Sequence, residues 1–295
     1  MVSIDPYLNE TTRFADVILP PTVYLERSHY ELAMATYSVR NVAKYSPTVF
    51  ERGPDQRHDW EIVVELAARL FPRPVGLLAK VLGRRMPPDA FLNTWLRTGP
   101  YGLGRGGLSL AVLEKQPHGV DLGPLEPRLP GRLGLHRRIN LAPREYLADL
   151  PRLRGRLTAT RDGLVLIGRR QLRSNNSWMH NSERLVKGRD RCTLLIHPDD
   201  AAARSLTNGA TARLATRAGV VEVPVEVTDA IMPGVVSLPH GWGHGRPGVR
   251  LSVAAAHPGV SVNDVTDERL VDALTGTAAV SGVPVVVTSA DLPLR

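Results

Sequence analysis

The side chains best suited to chemistry lie in segment 168–181, which directly follows a β-branched apolar run predicted to be a strand. The segment begins with Gly168 and combines arginine, asparagine and serine residues with a tryptophan and a histidine. Guanidinium groups bind phosphate bidentately, and Asn and Ser side chains supply both donors and acceptors. We therefore predict that it binds an anionic ligand rich in nitrogen and oxygen. A polar surface loop is the alternative.

A second segment, 238–245, places two histidines and Trp242 among three glycines. Glycines let a backbone approach a ligand closely. The spacing of His240 and His244 suits metal ligation only on a helix face, and the glycines argue against a helix. We predict a close-contact loop in which His240 or Trp242 lies against a ring of the ligand, and no metal site.

Four further residues are ambiguous on their own. Asn263, in segment 260–267, follows a β-branched run and is typical of a turn. Asp5 ends the first predicted strand, where α/β sheets bind ligands, and its carboxylate could accept two hydrogen bonds from a guanine or a ribose. Arg27 could be a ligand contact. Asp59 could be one too, but it also suits the N-cap of the clearest predicted helix.

The elements that must position these residues change in type along the chain. Strand, short helix and strand are predicted at 2–4, 10–15 and 17–19, followed by helices over 59–70 and 88–96, which indicates an α/β fold. The Gly-, Pro- and Arg-rich stretch 99–156 is predicted to be an irregular connection. Closely spaced short strands then indicate a β-barrel or sandwich; they are predicted at 164–167, 193–196, 212–216, 220–227, 235–238 and 283–288.

Composition limits the class of protein. The 295 residues suit two domains, and with one cysteine, Cys192, the chain can form neither an intramolecular disulfide nor a four-ligand iron–sulfur site. We expect no transmembrane helix, no signal peptide and a cytoplasmic location. The net charge of +8 is concentrated in residues 128–191, but their only aromatic residues are Tyr146 and Trp178. Nucleic-acid binding is therefore disfavoured.

Together these segments resemble the molybdopterin oxidoreductase family, which includes formate dehydrogenases, nitrate reductases and dimethyl sulfoxide reductase. Residues 5–26, with an aspartate, a Thr-rich short helix and Ala-Asp-Val-Ile-Leu-Pro, are similar to the family's third domain. Segments 168–181, 197–201, 240–242 and 262–267 are similar to its fourth, dinucleotide-binding domain. The resemblance implies an α/β partial domain (1–98), a connection (99–158) and an all-β double-psi β-barrel domain (159–295).

The resemblance also implies roles for individual residues. Asp5 would bind the guanine end of a dinucleotide, and Arg27 and Asp59 would be a basic and an acidic cofactor contact. Asn263 would contact a pterin, and His240 and Trp242 would form the close-contact loop. The pyranopterin and phosphates would be lined by Gly168, Arg169, Arg170, Asn176, Ser177 and Trp178.

In the family, the metal ligand and many iron–sulfur sites precede every domain found here. We therefore expect a cofactor-binding C-terminal portion of a molybdenum bis(molybdopterin guanine dinucleotide) oxidoreductase, similar to formate dehydrogenase or nitrate reductase, with no catalytic residue of its own. The cofactor would be shared with a missing N-terminal half, carried by a separate polypeptide or lost. The alternatives are a non-catalytic dinucleotide-binding module and a relict fragment.

Overall fold

The chain divides into two compact units. A computed structural model describes residues 1–103, 107–133, 138–159 and 163–291. The N-terminal unit comprises Met1–Tyr7 and Phe14–Ile139, and the barrel unit comprises Leu8–Arg13 and Asn140–Arg295. Among the described helices, none is long and apolar enough to cross a membrane.

The N-terminal unit holds three small two-stranded sheets and five helices within its described residues. β1 pairs with β2 in parallel, and β3 with β5 and β4 with β6 antiparallel. The strands are β1 (Val2–Ser3), β2 (Val17–Ile18), β3 (His29–Tyr30), β4 (Arg40–Ala43), β5 (Tyr45–Ser46) and β6 (Val120–Pro124). The helices are α1 (Asp59–Leu70), α2 (Arg73–Arg85), α3 (Pro88–Thr98), α4 (Leu110–Glu114) and α5 (Leu129–Arg132). Short 3-10 helices cover Tyr24–Glu26 and Met34–Tyr37, and a third, Thr12–Phe14, begins in the Leu8–Arg13 segment of the barrel unit.

Helix α1 forms as the sequence predicts, but its cap differs. The N-cap is His58, whose extended backbone accepts a hydrogen bond from the Ile62 N–H at 3.1 Å. The Glu61 carboxylate accepts the His58 N–H at 2.8 Å. Asp59, predicted as a possible cap, is instead the first helical residue, where a carboxylate still interacts favourably with the helix dipole.

The predicted irregular character of 99–156 is wrong for much of that segment. It contains α4, β6, α5 and a fifteen-residue helix, α6 (Arg144–Thr158). β6 is ordered by pairing with β4, a long-range contact that no local pattern reveals. In α6, apolar residues recur at helical spacing, but arginines and Pro151 interrupt the pattern.

In the described part of the barrel unit, six strands form a closed barrel in the order β10-β8-β11-β7-β12-β9. They are β7 (Leu164–Arg169), β8 (Leu194–Ile196), β9 (Thr211–Ala215), β10 (Val220–Val227), β11 (Val235–Pro239) and β12 (Val283–Ser289). All six strand predictions are confirmed to within two residues at either end. The short helices are α7 (Glu183–Val186), α8 (Pro198–Ala202) and α9 (Ser252–Ala256).

The barrel strands alternate between buried and outward residues because successive side chains point to opposite faces. In β10, for example, Val221, Val223 and Val225 are buried between exposed neighbours. β7 and β11 pair in parallel, with Arg169 opposite Pro239. The loops that follow these two strands therefore leave the barrel at the same end.

Candidate functional site

The two loops at this end of the barrel are in direct contact. Gly241 has φ +106°, a conformation that favours glycine. A Cβ atom at this position would lie 1.8 Å from the carbonyl oxygen of Asn176, so a larger residue would push the two loops apart. Segments 168–181 and 238–245, which the sequence analysis selected independently, thus form one surface.

A polar cavity of about 410 Å³ opens in this surface. The guanidinium group of Arg170 donates a hydrogen bond to the Asn176 side-chain oxygen at its edge. Three of the predicted site residues, Arg170, Asn176 and His240, therefore lie around one cavity. Its full lining is Arg170, Gln171, Leu172, Ser174, Asn175, Asn176, Met179 and His240.

The backbone of this loop also suits an anion. Asn175 and Asn176 have φ of 43° and 61°, a left-handed conformation that asparagine tolerates better than most residues. Within the described residues, the backbone N–H groups of Asn175, Asn176 and Ser177 find no hydrogen-bond acceptor. Such a run of open N–H groups beside a guanidinium is an anion-binding arrangement.

Arg169 is placed differently from Arg170. Its guanidinium group points into the barrel end and donates to the carbonyl oxygens of Ser237 at 2.5 Å and Thr193 at 2.8 Å. It also donates to the Thr193 hydroxyl at 3.0 Å. Burial lowers the pKa of Arg169, partly offset by the Glu226 carboxylate. These contacts assign Arg169 to holding β7, β8 and β11 together.

Behind the cavity lies a buried chain of hydrogen-bonding groups. The Ser174 hydroxyl is 2.8 Å from Nε2 of His180, whose Nδ1 is 2.8 Å from Nε2 of His244. The Nδ1 atom of His244 is in turn 2.6 Å from a carboxylate oxygen of Glu10. The ring of Trp242 packs against His180 with a centroid distance of 4.3 Å.

The environment of His180 keeps its imidazole neutral. Desolvation, followed by the nearby His244 ring, lowers the pKa of His180 to about 4. Ser174, His180 and Trp242 border a second cavity of about 170 Å³. Ser174 also borders the larger cavity, so this residue lies between the two spaces.

The remaining predicted residues of the barrel unit lie outside these cavity linings. Gly168 is the penultimate residue of β7 and donates its N–H to the Ser281 hydroxyl at 3.4 Å. Ser177 and Trp178 are exposed on the loop. Asn263 is exposed in a 3-10 helix, Val262–Val265, and donates its N–H to Ser261 Oγ at 3.3 Å.

In the N-terminal unit, the structure pairs two of the three predicted residues. Arg27 and Asp59 form an ion pair, with both side chains partly exposed. Asp5 follows β1, and its carboxylate accepts the Tyr7 N–H at 2.7 Å. This bond makes a turn just after the strand, as expected for an aspartate before proline.

The sequence analysis missed the roles of Ser174, His180, His244 and Glu10. Three of them lie inside the two selected segments, but their burial and mutual contact depend on the pairing of β7 with β11. Glu10 lies more than 150 residues away, in a short segment that belongs to the barrel unit. The signal available in the sequence was His180 in the polar segment 168–181 and His244 in the glycine-rich segment 238–245.

Cys192 is buried, and burial raises its pKa to about 11. The thiol therefore stays protonated at neutral pH. Among the described residues, no group of three or more His, Cys, Asp or Glu side chains is arranged to hold a metal ion.

A closed barrel with a polar, arginine-bearing cavity at one end defines the class: a unit that binds an anionic, nucleotide-like ligand. Comparison with known proteins gives the family. Residues 164–284 match the sequence model of the molybdopterin dinucleotide binding domain, and residues 1–69 match that of the molybdopterin oxidoreductase family. The chain belongs to the molybdopterin oxidoreductase family and carries its dinucleotide-binding domain.

Two relatives cover different extents of the chain. Dimethyl sulfoxide/trimethylamine N-oxide reductase of Rhodobacter capsulatus is 43% identical over 56 residues, which are 19% of this chain and 7% of that protein. The structure of acetylene hydratase from Pelobacter acetylenicus superposes with a TM-score of 0.52 at 19% identity. That match covers 92% of this chain and 38% of the hydratase, so the chain spans well under half of that relative. At this identity the match shows a shared fold.

Proposed function

We propose that this chain holds one molybdopterin guanine dinucleotide of a bis(molybdopterin guanine dinucleotide) molybdenum cofactor. It would be the C-terminal, cofactor-binding portion of an oxidoreductase similar to formate dehydrogenase or nitrate reductase. The observation that carries the proposal is the cavity at the end of the barrel, which is lined by Arg170 and by Asn175 and Asn176, two asparagines whose backbone N–H groups have no acceptor among the described residues.

These residues fit the chemistry of the group. A pyrophosphate offers only acceptor oxygens, which a guanidinium and backbone N–H groups satisfy. His240 supplies a ring at the cavity wall, against which a planar pterin or purine can pack. When bound, the molybdenum centre supplies two-electron redox chemistry, and this chain's residues bind and orient the nucleotide that carries it.

Asp5, Arg27 and Asp59 belong to this proposal with modified roles. Arg27 and Asp59 bind each other, so either must leave that ion pair to contact a cofactor. Asp5 uses one carboxylate oxygen on Tyr7, and the other would serve a guanine N–H pair. A double-psi connection of the barrel strands is part of the same proposal.

We further propose that a separate polypeptide with the family's N-terminal domains completes the enzyme, because the N-terminal unit buries little of its apolar surface. Among the described residues, it contributes six of the buried hydrophobic side chains, whereas the barrel unit contributes 22. The same unit holds 32 of the exposed large hydrophobic residues, against 16 in the barrel unit. This excess of exposed apolar side chains supports a partner-binding surface on the N-terminal unit.

The small parallel sheet supports the same conclusion. β1 and β2 are two residues long, and Val2 and Val17 are exposed on them. Parallel strands occur almost only in sheets covered on both faces. Additional strands and helices from a partner would supply that cover and bury the exposed apolar residues of α1 and α2, including Leu70, Leu77 and Leu78.

The test is to produce the full chain together with a polypeptide that carries the family's metal-ligand domains, and to purify the complex. We expect bound molybdenum, and GMP released from the cofactor on acid treatment. Arg170→Met should lower the GMP retained at least several-fold, whereas Arg250→Met, which removes an equal charge from an exposed position outside the cavity lining, should not. Equal GMP in both variants would contradict the assignment of the cavity.

The second candidate function is a non-catalytic carrier or assembly module for the dinucleotide. It is favoured by the barrel unit, which has its own core and cavity. A module of this kind would bind the nucleotide without forming a stable complex with the metal-ligand polypeptide. Failure of the two chains to co-purify, with GMP still bound to this one, would select it. Absence of GMP from both fractions would favour a relict fragment.

A further inference from the structure

Four hydrogen-bonded side chains form a largely buried path behind the cavity. Ser174, His180 and His244 are only 3%, 4% and 2% exposed, and they connect Glu10, whose side chain is 30% exposed, to the cavity wall. All three links are between 2.6 and 2.8 Å long. Four groups thus form a continuous path between a partly exposed carboxylate and the space where a ligand would bind.

The surrounding backbone holds this path in place. Asn181 accepts the N–H groups of Val253 and Ala254 through its side-chain oxygen, which fixes the loop next to His180. His244 donates its backbone N–H to the Pro258 carbonyl at 3.1 Å. The two rings meet edge to face, with centroids 5.1 Å apart. Neither ring can turn away without breaking these contacts.

The hydrogen-bond directions along the path are coupled. An ionised Glu10 only accepts, so His244 must carry its proton on Nδ1 and accept on Nε2. His180 must then donate from Nδ1 to His244 and accept on Nε2 from the Ser174 hydroxyl. In this state the Ser174 proton is used on His180, so Ser174 can only accept a hydrogen bond from a ligand.

One added proton reverses every link. The added proton enters at Ser174 from the cavity side, and the original Ser174 proton moves to Nε2 of His180. The Nδ1 proton of His180 moves to Nε2 of His244, and the Nδ1 proton of His244 moves to the Glu10 carboxylate, which then donates to Nδ1 of His244. Ser174 now accepts from His180 and donates the added proton into the cavity. The balance is one proton taken up, with no net change on either imidazole.

We propose that Glu10, His244, His180 and Ser174 form a proton relay that couples binding of an acceptor-only anionic group, such as the pyrophosphate of the nucleotide, to uptake of one proton. The proposal rests on the proposed function and assigns a specific hydrogen bond within it. A phosphate oxygen cannot donate to Ser174, so Ser174 must donate to it, and that requires the reversed state.

The charged groups around the relay favour this coupling. His180 faces His244, Glu10 and His240, and desolvation lowers the pKa of His180, so this ring resists a proton in the absence of an anion. The second cavity adds further titratable groups: Arg173, Arg189, Asp190, Arg191 and His257. Their net positive charge opposes protonation of the relay, and a bound anion would offset it.

The direct test is the protonation state of the two rings in the full-length chain, measured by long-range ¹H–¹⁵N correlation. At about pH 7 we expect both rings to carry a proton on Nδ1 and to accept a hydrogen bond on Nε2, as the hydrogen-bond directions require. In Glu10→Gln the two rings should no longer carry their protons on Nδ1 alone, because the amide that replaces the carboxylate can donate as well as accept. A proton on Nε2 of either ring in the unaltered protein would overturn the relay.

The functional test uses diguanosine pyrophosphate, whose diester phosphates do not titrate between about pH 5.5 and 8.5. Calorimetry in buffers of different ionisation enthalpy should show uptake of about one proton on binding. The association constant should fall by up to about tenfold per pH unit as the pH rises. Ser174→Ala and Glu10→Gln should bind without this dependence, and Glu222→Gln, on an exposed part of the barrel, should behave like the unaltered protein.

The outcomes separate the two proposals. Equal proton uptake in the unaltered protein and in Ser174→Ala would overturn the coupling while leaving nucleotide binding intact. Absence of binding in every variant, with both rings in the predicted protonation state, would contradict the proposed function and the coupling but support the hydrogen-bonded path.

Discussion

Two adjacent arginines offer a sharp test of how the barrel end is built. Arg169 and Arg170 have the same side chain and neighbouring positions, yet one points into the barrel and the other lies at the cavity. We predict that Arg169→Met mainly reduces stability and that Arg170→Met mainly reduces ligand binding. Each variant serves as the control for the other.

The size of the stability effect follows from the hydrogen bonds. Arg169 satisfies the carbonyl oxygens of Ser237 and Thr193 together with the Thr193 hydroxyl. A buried acceptor left without a partner costs about 1–3 kcal/mol. The substitution also removes a desolvated guanidinium charge. Because a charge is expensive to bury, its removal offsets part of that cost. We therefore expect Arg169→Met to destabilise the barrel by about 2–4 kcal/mol and Arg170→Met by about 0.5 kcal/mol or less.

Hydrogen–deuterium exchange of the full-length chain measures this effect locally. Peptides covering β8 and β11 should exchange about 30- to 700-fold faster in Arg169→Met, if exchange occurs through barrel opening. The same peptides should be nearly unchanged in Arg170→Met. Equal protection in the two variants would refute the structural role assigned to Arg169, and a large loss of protection in Arg170→Met would refute the assignment of that residue to the cavity.

Three further predictions test the core and the buried titratable groups. The pKa of His180 is lowered from 6.5 to about 4 in the folded chain. As the pH falls from about 6.5 to 4, the unfolded chain therefore takes up a proton that the folded chain does not. Urea unfolding should show stability falling by up to about 1.4 kcal/mol per pH unit in this window, and His180→Phe should lose that contribution. Cys192 should react with a thiol reagent at about pH 8 at least a hundredfold more slowly in the native protein than in urea, since it is buried with a pKa of about 11; equal rates would contradict its burial. Leu214→Ala, at a fully buried barrel position, should cost about 2–5 kcal/mol, whereas Leu172→Ala, at 93% exposure, should cost about 0.5 kcal/mol or less; similar unfolding midpoints would contradict the barrel core.

The parts of the fold that could be predicted are those whose pattern is local. All six barrel strands were found because short runs rich in β-branched residues leave a local signal in the sequence. The structure buries alternate residues of such a run, as in β10. Helix α1 was found for the same reason, from its apolar spacing and the following proline. β6 was missed because its order depends on pairing with β4, about 80 residues away, and no local signal encodes that contact.

The site shows the same division. Segments 168–181 and 238–245 were selected from their residue types, the resemblance singled out Arg170 and Asn176 in the first, and the structure brings these two residues and His240 around one cavity. Residue type could not distinguish Arg169 from Arg170, since only the pairing of β11 with β7 and β8 places carbonyl oxygens beside one guanidinium and not the other. Nor could it place Glu10 beside His244, 234 residues away.

The two units differ in how far they can fold from their own residues. The barrel unit closes its sheet, so it has no unpaired edge, and it buries most of the protein's described core. In the part of the chain that the structure describes, the N-terminal unit has only small two-stranded sheets and a minor core of five buried residues around Leu113. Apolar burial is the main term that offsets conformational entropy, so we predict that the proposed complementary polypeptide stabilises the N-terminal unit more than the barrel unit. Binding of the complementary polypeptide should therefore slow hydrogen exchange in α1 and α2 far more than in β8 and β10, and uniform protection across both units would contradict this difference.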